Sequence, residues 1–411
     1  MAARVLIGGY YGFGNIGDEA LLSVLLEKLR ECLPELEPVV LSHDPEWTAA
    51  EYKVEAINRW NPFKIWGELG RAGLFLLGGG GLLQDVTSFR STLYYLGLIR
   101  LAAIRKVPVA LIGQGIGPLR SPLLRRLVVG HLRRVDYIMV RDERSRELLE
   151  AWGADRGQLV RGYDLALGLA LEPSSEEQER RDLLAISLKE PGRDKRVRTE
   201  FITEMAAVID EVHRRFGLRP AFAPLHPRED LRLTEEVRKE MAEESLVLDL
   251  EGLPLQEVLK LLSQARLMLG MRLHALEFAL ICAVPFLAFS ADPKVEEFVK
   301  LVEGALGLEV SLLKAPGVKG ERLLAALGHL LEEEAEYRAR LIPAALRLRE
   351  EATSSLEEAC RRLAELLVLE RPKVKARRRR KGRAKASQSR PRSRSRSNSN
   401  SSPSPREHDM T

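Results

Sequence analysis

The sequence has little cysteine and no long uninterrupted apolar run. Three of its 411 residues are cysteine, and Cys32, Cys282 and Cys360 share neither a CxxC nor a Cys/His spacing. A disulfide framework and a thiolate metal site are therefore excluded as organising devices, and reduced thiols in a cytosolic protein are the expectation. The most apolar stretch, Leu267 to Phe289, contains Arg272, His274 and Glu277 and is divided by Pro285, which reads as strand, helix, strand and not as a membrane span. The run Val5 to Ile7 follows a single arginine and stops at glycines, too short for a signal-peptide core, so export is not expected.

What is present is the composition of a soluble globular protein, 45% hydrophobic and 30% charged. At about 100 to 200 residues per domain the length predicts two domains with extras. The net charge of +5 is spread unevenly. Residues 371–411 hold 15 Lys/Arg and two acids, a net of +13, which leaves the first 370 residues at −8. The basicity belongs to an Arg/Ser-rich tail that has too little apolar surface to fold alone and is expected to be disordered.

Short apolar runs alternate with helical patterns. Val5–Ile7, Val39–Leu41, Leu74–Leu77, Val109–Ile112 and Tyr137–Val140 form a first series; Leu184–Leu188, Ala221–Pro224, Leu246–Leu248, Leu267–Leu269 and Pro285–Phe289 form a second. Such alternation predicts parallel βαβ units, and two series predict an α/β protein of two Rossmann-like domains facing a cleft. The expected divisions are residues 1–170, 171–317, C-terminal helices over 318–370 and the tail 371–411, with the stretch Gly162 to Glu179 as the boundary between halves.

In an open parallel sheet, ligands bind beyond the carboxyl ends of the strands. After the first apolar run comes GGYYGFGNIGDE (Gly8–Glu19), after the third GGGGLLQD (Gly78–Asp85), after the fourth GQGIGP (Gly113–Pro118), and after Val140 comes RDERS (Arg141–Ser145). In the second half the same places hold Lys189, His226 to Asp230, MRLH (Met271–His274) and DPK (Asp292–Lys294). Anion-binding groups thus line both walls of the expected cleft. Gly12, Gly14 and Gly17 fit a dinucleotide fingerprint, but Asp44 lies beyond the position where an acid should close the second strand, which disfavours NAD. A tight turn that lets a helix N-terminus approach an anion needs only glycine and free N–H groups.

Each candidate also has a plainer role: Gly79 and Gly80 as packing glycines, Arg141 and Arg144 as helix-start arginines, His274 as a core histidine, His226 beside Pro227, and Asp230 as a helix cap. The position of Arg272 and His274 at a helix start just after a strand favours a ligand role.

In order and spacing, GYYGFGNIGDEA, GGGGLLQD, GQGIGP, RDERS, MRLHAL and DPKV resemble the polysaccharide pyruvyl transferase family, from about Val5 to about Leu369. They are most similar to the branch that pyruvylates secondary cell-wall polysaccharide so that S-layer proteins are retained. The resemblance implies a bacterial, cytoplasmic enzyme of glycosyltransferase-B-like fold. Its donor would be phosphoenolpyruvate, its acceptor a lipid-linked glycan with N-acetylmannosamine, and no cofactor would be required. By the same resemblance Arg141, Arg272, His274 and Lys294 hold the donor. Asn15, Gly17 and Asp18 face the acceptor, in a loop region lined by Gly12, Gly79, Gly80, Gln84 and Gln114.

The residue types suit that chemistry. A carboxylate and a phosphate call for a bidentate arginine, a point-charge lysine and helix-start N–H groups. Ketal formation calls for a proton delivered to the methylene carbon and a base for the sugar hydroxyls, which makes His274 the principal acid or base, with Asp18 or Asp142 as a second base. His226, Glu229 and Asp230 have no recognisable ligand spacing, so no metal is expected.

Two other readings remain. A nucleotide-sugar glycosyltransferase shares the architecture. A nucleic-acid binder would use Arg377–Lys381 and the Arg-Ser run, yet the first 370 residues hold no nucleic-acid-reading motif. The tail is also a candidate contact with anionic lipid at the inner membrane face, or a plain solubilising extension.

Overall fold

The computed structural model describes residues 3–86, 88–155, 157–170, 182–192, 194–317 and 319–369. The Arg/Ser-rich tail lies outside the described residues, as do residues 171–181 at the expected boundary between halves.

Seven strands, β1 (Ala3–Tyr11), β2 (Leu36–Ser42), β3 (Glu55–Asn58), β4 (Ala72–Leu83), β5 (Val109–Ile116), β6 (Tyr137–Val140) and β7 (Leu159–Arg161), form the first sheet. Between them run α1 (Ile16–Cys32), α2 (Pro45–Tyr52), α3 (Pro62–Leu69), α4 (Phe89–Arg105), α5 (Pro122–Leu132) and α6 (Glu143–Ala151). The second sheet has six strands: β8 (Leu183–Ser187), β9 (Arg219–Phe222), β10 (Leu246–Val247), β11 (Leu267–Gly270), β12 (Phe286–Phe289) and β13 (Leu312–Leu313). Its helices are α7 (Lys195–Phe216), α8 (Pro227–Glu240), α9 (Leu255–Ser263), α10 (Leu273–Ile281) and α11 (Pro293–Leu306), followed by α12 (Gly320–Glu332) and α13 (Glu334–Leu369).

All strand pairs are parallel. The orders are β3-β2-β1-β4-β5-β6-β7 and β10-β9-β8-β11-β12-β13. Both sheets therefore reverse direction of growth beside their first strand, at β1/β4 and at β8/β11, which is where a doubly wound sheet opens a crevice. All ten expected strands are present. Three of the four edge strands, β3, β7 and β13, were not expected; they are short, and β3 and β7 each bury a single residue.

The central strands are apolar on both faces because helices cover both. Side chains alternate: Val5, Ile7, Leu74, Leu76, Ala110 and Ile112 face a core shared with α1, the second sheet and α13. Leu6, Phe75, Leu77, Val109 and Leu111 face a separate core under α3, α4 and α5. The two halves are tied at the cleft by the Ile16 N–H, which donates to the Leu225 carbonyl at 3.0 Å. Behind them α13 runs from one half to the other. Its Arg338 donates to the Ala283 carbonyl at 3.0 Å, and near its far end Lys28 meets Glu357 at 3.4 Å.

Candidate active site

Two helices that follow switch-point strands meet at the cleft. α1 follows β1 and α10 follows β11, and their first turns touch: a Cβ built on Gly17 would lie 1.8 Å from His274 Nδ1. Glycine at 17 is thus the condition for the imidazole to reach the start of α1. Neither helix has a side-chain cap, so both N-termini direct backbone N–H groups and the positive ends of their dipoles at the same place. Asn15 does not cap α1; its amide donates to Asp18.

The remaining expected residues divide into three groups. Arg141 and Lys294 join Asp18 and His274, close enough to shift the titration of both. Arg141 is buried, donates to Asp164 Oδ2 at 2.9 Å, and lies so close under β5 that a Cβ on Gly115 would be 2.6 Å from its guanidinium. Lys294 stands in the first turn of α11, 3.9 Å from Asp292, which caps that helix and also accepts from Lys189 at 3.0 Å.

A second group forms a closed ion-paired network. Arg272 donates through Nε to Asp230 Oδ1 at 2.8 Å and through Nη2 to Glu229 Oε2 at 3.0 Å. His226 Nδ1 lies 3.1 Å from that same Glu229 oxygen, and the His226 N–H donates to Asp230 at 2.9 Å.

The third group shapes the loops. Gly79 and Gly80 take positive φ, 57° and 80°, and a Cβ on Gly80 would stand 2.9 Å from Asp18 Oδ1. Gln114 is fully buried and donates to the Gly79 carbonyl at 2.9 Å, fixing the turn. The Gly12 N–H donates to Glu19 at 2.7 Å, and Gln84 accepts from the Val86 N–H at 2.7 Å. Asp142 caps α6, accepting from the Ser145 N–H at 2.7 Å.

Burial sets the protonation of the first group. It pushes Asp18 up to about 6, against the pull of Lys294 and His226, and pushes Glu277 well above the usual carboxylate range. It pushes Lys294 down to about 8, although Asp292 opposes the shift. His274 falls to about 3, through burial and the nearby cations Lys294, Arg141 and Arg272, with Asp164 opposing. Near neutral pH the imidazole is therefore an uncharged base, burial favours the protonated form of Glu277, and Arg141 and Lys294 each stand near a carboxylate, Asp164 and Asp292. Two helix N-termini and two cations gathered at one place favour an anionic ligand.

Asp164 and Glu277 were not singled out from the sequence. Asp164 lies just beyond β7, inside the stretch read as an inter-domain boundary. Glu277 is one turn along α10 from His274, with a side chain 1% exposed. His274 Nε2 and Glu277 Oε2 are 3.8 Å apart, and both are buried without a hydrogen-bond partner. The i, i+3 spacing was the available signal. Ligand atoms of Asp164, His274 and Glu277 lie within 4.8 Å of one another, close enough to share a metal ion. Arg141 already engages Asp164 at 2.9 Å.

Arg141, Asp164, Glu277 and Lys294, with Phe298 and Lys300, line a cavity of about 370 Å³, within the size range of small-molecule sites. A ribbon of rings leads away from the cleft on the other side. Tyr10 meets His226 edge-on, Phe13 stacks on Tyr10 with centroids 4.1 Å apart, and His43 stacks on Phe13 at 4.4 Å. The buried Arg59 guanidinium lies 5.0 Å from the Phe13 ring and 5.2 Å from Trp60. The paired aromatics inside the first glycine loop were the only sequence sign of it.

Solved structures share this architecture at low identity. Staphylococcus aureus MnaA in complex with UDP is 13% identical with a TM-score of 0.59, over 88% of this chain and 95% of that one. The UDP-GlcNAc 2-epimerase of Neisseria meningitidis bound to UDP-GlcNAc is 13% identical with a TM-score of 0.57, over 89% and 100%. The Methanocaldococcus jannaschii UDP-GlcNAc 2-epimerase is 14% identical with a TM-score of 0.59, over 88% and 99%. These likenesses establish a glycosyltransferase-B-like fold and nothing of the reaction. No curated protein is significantly similar in sequence. A family model, polysaccharide pyruvyl transferase, matches residues 15–293. That span starts at Asn15 and ends at Pro293, one residue short of Lys294, so it takes in Asp18, Arg141, Asp164 and His274 together, and the chain belongs to the polysaccharide pyruvyl transferase family.

Proposed function

We propose that this chain transfers pyruvate from phosphoenolpyruvate to an N-acetylmannosamine residue of a lipid-linked cell-wall polysaccharide precursor, forming a pyruvate ketal and releasing phosphate. One observation carries the reading: two cations, Arg141 and Lys294, stand beside a neutral imidazole in a cleft where burial raises the acids Glu277 and Asp18. The planar Arg141 fork suits the donor carboxylate and the Lys294 point charge suits its phosphate, with the N-termini of α1 and α10 adding N–H groups. Arg272 supports the site through its positive field and its hold on Asp230 and Glu229.

In the reaction two sugar hydroxyl oxygens bond to C2, the methylene carbon gains a proton to become methyl, and the bond from C2 to the phosphate oxygen breaks. The two hydroxyl protons end on the methyl carbon and on phosphate, so the step needs no oxidant, reductant or further co-reactant. His274 is the first base, because it is uncharged above about pH 3 in the free site. Arrival of the donor's negative charge raises its proton affinity, which lets it hold a hydroxyl proton and pass it on. Asp18, titrating at about 6, serves the second hydroxyl. The rings of Tyr10, Phe13 and His43 offer faces for the acceptor sugar. The setting implied is the cytoplasm, and the product a secondary cell-wall polysaccharide that retains S-layer proteins.

The test is phosphate release from phosphoenolpyruvate, with and without a lipid-linked N-acetylmannosamine disaccharide, together with the mass of the sugar product. Acceptor-dependent release with a gain of pyruvate is expected. A solved neighbour in complex with UDP favours one alternative, a nucleotide-sugar glycosyltransferase. Tight UDP binding with no phosphate release in the presence of acceptor establishes that alternative instead.

A further inference from the structure

Helices α3, α4 and α5 form the outer layer over the second core of the first sheet. Their surface differs from the rest of the molecule. The first 370 residues are net acidic, yet α4 and α5 contain no acidic residue, and the single acid of α3, Glu68, is buried and paired with Arg4 at 3.1 Å and Arg71 at 2.9 Å. Lys64, Arg90 and Arg126 are exposed and have no ion-pair partner among the described residues. Eight of the thirteen large hydrophobic residues exposed among the described ones lie between Trp60 and Leu123. Phe63 is 86% exposed, Trp60 57% and Leu123 62%.

Their placement is regular. Phe63, Phe89 and Leu123 stand in the first turns of α3, α4 and α5, each helix following the carboxyl end of a strand of the same sheet. The rim they make is on the same edge as the glycine loops of the cleft. Trp60 joins it to the aromatic ribbon, through a 3.4 Å contact from its indole N–H to His43. Scattered exposed hydrophobics are ordinary on soluble proteins, but a clustered set with mainly basic charges around it marks a docking surface; the acid on this rim, Asp85, is held by the Arg120 and Ser121 N–H groups at 2.8 and 2.7 Å.

We propose that the α3–α5 face docks on an anionic lipid bilayer, with the Trp60, Phe63, Phe89 and Leu123 rim entering the interface and Lys64, Arg90 and Arg126 facing lipid phosphates. Indole and phenyl rings settle at the headgroup level, and arginine and lysine are drawn to anionic headgroups. A second copy of the chain fits this face poorly, because a two-fold contact would set its unpaired cations against each other. No helix among the described residues is long and apolar enough to cross a membrane, so the contact is peripheral. It is independent of the reaction proposed above and brings the cleft edge close to the bilayer.

The test is co-sedimentation of the full-length chain with vesicles of phosphatidylglycerol and phosphatidylcholine, and with phosphatidylcholine alone. Binding to the anionic vesicles is expected, weakened at least about tenfold in Phe63→Ser/Phe89→Ser and in Arg90→Glu/Arg126→Glu. Both pairs are exposed, and an unchanged melting temperature confirms that they fold. Wild-type binding by both variants overturns the proposal and assigns attachment to the basic tail. Absence of binding to anionic vesicles overturns it outright. Loss of self-association in sedimentation velocity, without loss of vesicle binding, assigns the face to a second copy.

Discussion

Two charged clusters meet in the cleft, and they differ in how their charges are matched. Around Arg272 the groups are reciprocally paired: one guanidinium, two carboxylates and His226, in contact at 2.8 to 3.1 Å. The pairing pulls Glu229 down to about 2, chiefly through the His226 hydrogen bond and then Arg272. Around His274 the groups are close but incompletely bonded. His274 Nε2 and Glu277 Oε2 are buried and lack partners, and the titration points of Asp18 and Lys294 are shifted toward neutrality from opposite sides. A satisfied network fixes geometry; an unsatisfied one has capacity left for a ligand and for protons.

The comparison breaks first, if it breaks, on turnover. His274→Ala should lower phosphoenolpyruvate-dependent turnover about 10²- to 10⁴-fold with little change in melting temperature, whereas His226→Ala should cost less than about tenfold. Equal losses would show that the two clusters act alike. Stability should show the opposite ranking. Arg272→Ala leaves Asp230, whose side chain is 1% exposed, without its partner, and should cost about 3 to 5 kcal/mol in denaturant unfolding. The Arg272→Ala/Asp230→Ala double variant should recover most of that loss.

Asp18 sharpens the comparison through pH. Its folded pKa is raised from 3.8 to about 6, so relative stability is present below about pH 4 and is lost as pH rises through about 6. The two-unit shift corresponds to about 3 kcal/mol. Asp18→Asn should therefore be more stable than wild type above pH 6, by up to about 3 kcal/mol, and no more stable below pH 4. Urea midpoints at pH 3.5 and 7.5 check the sign. The smallest effect is on the rate profile. If Asp18 is the base and Lys294 the phosphate holder, kcat/KM should show an acid limb near 6 and a basic limb near 8. Lys294→Arg should remove the basic limb, and a limb that stays near 8 would assign it to another group.

Much of the fold was legible because parallel strands buried on both faces must be written as apolar runs. Of the ten expected strands, nine lie inside their sheets and one, β10, lies at an edge. Edge strands β3, β7 and β13 have too few buried positions to leave such a run. The site was legible in part for a related reason: residues just past the carboxyl end of a strand have a fixed address in a doubly wound sheet. Asp18, Arg141, His274 and Lys294 all have that address and converge. Asp164 has it too, but its strand is an edge strand, so nothing announced it. Arg272 has it and is bonded to Asp230, which the sequence offered as a helix cap, and to Glu229, whose spacing offered no metal site.

The sequence by itself determined ten of the thirteen strands and their order, the two series they form, the glycine loops at strand ends and the basic tail, because these depend on local pattern and composition. Only the tertiary structure decided that Gly17 receives His274 and that Arg141 is matched by Asp164. It also decided that burial raises the Glu277 carboxyl above its ordinary range, and that three helices from one half share a basic, apolar face. Each of these depends on which distant residues remove a group from water or bring it an opposite charge, and no window of sequence contains both partners.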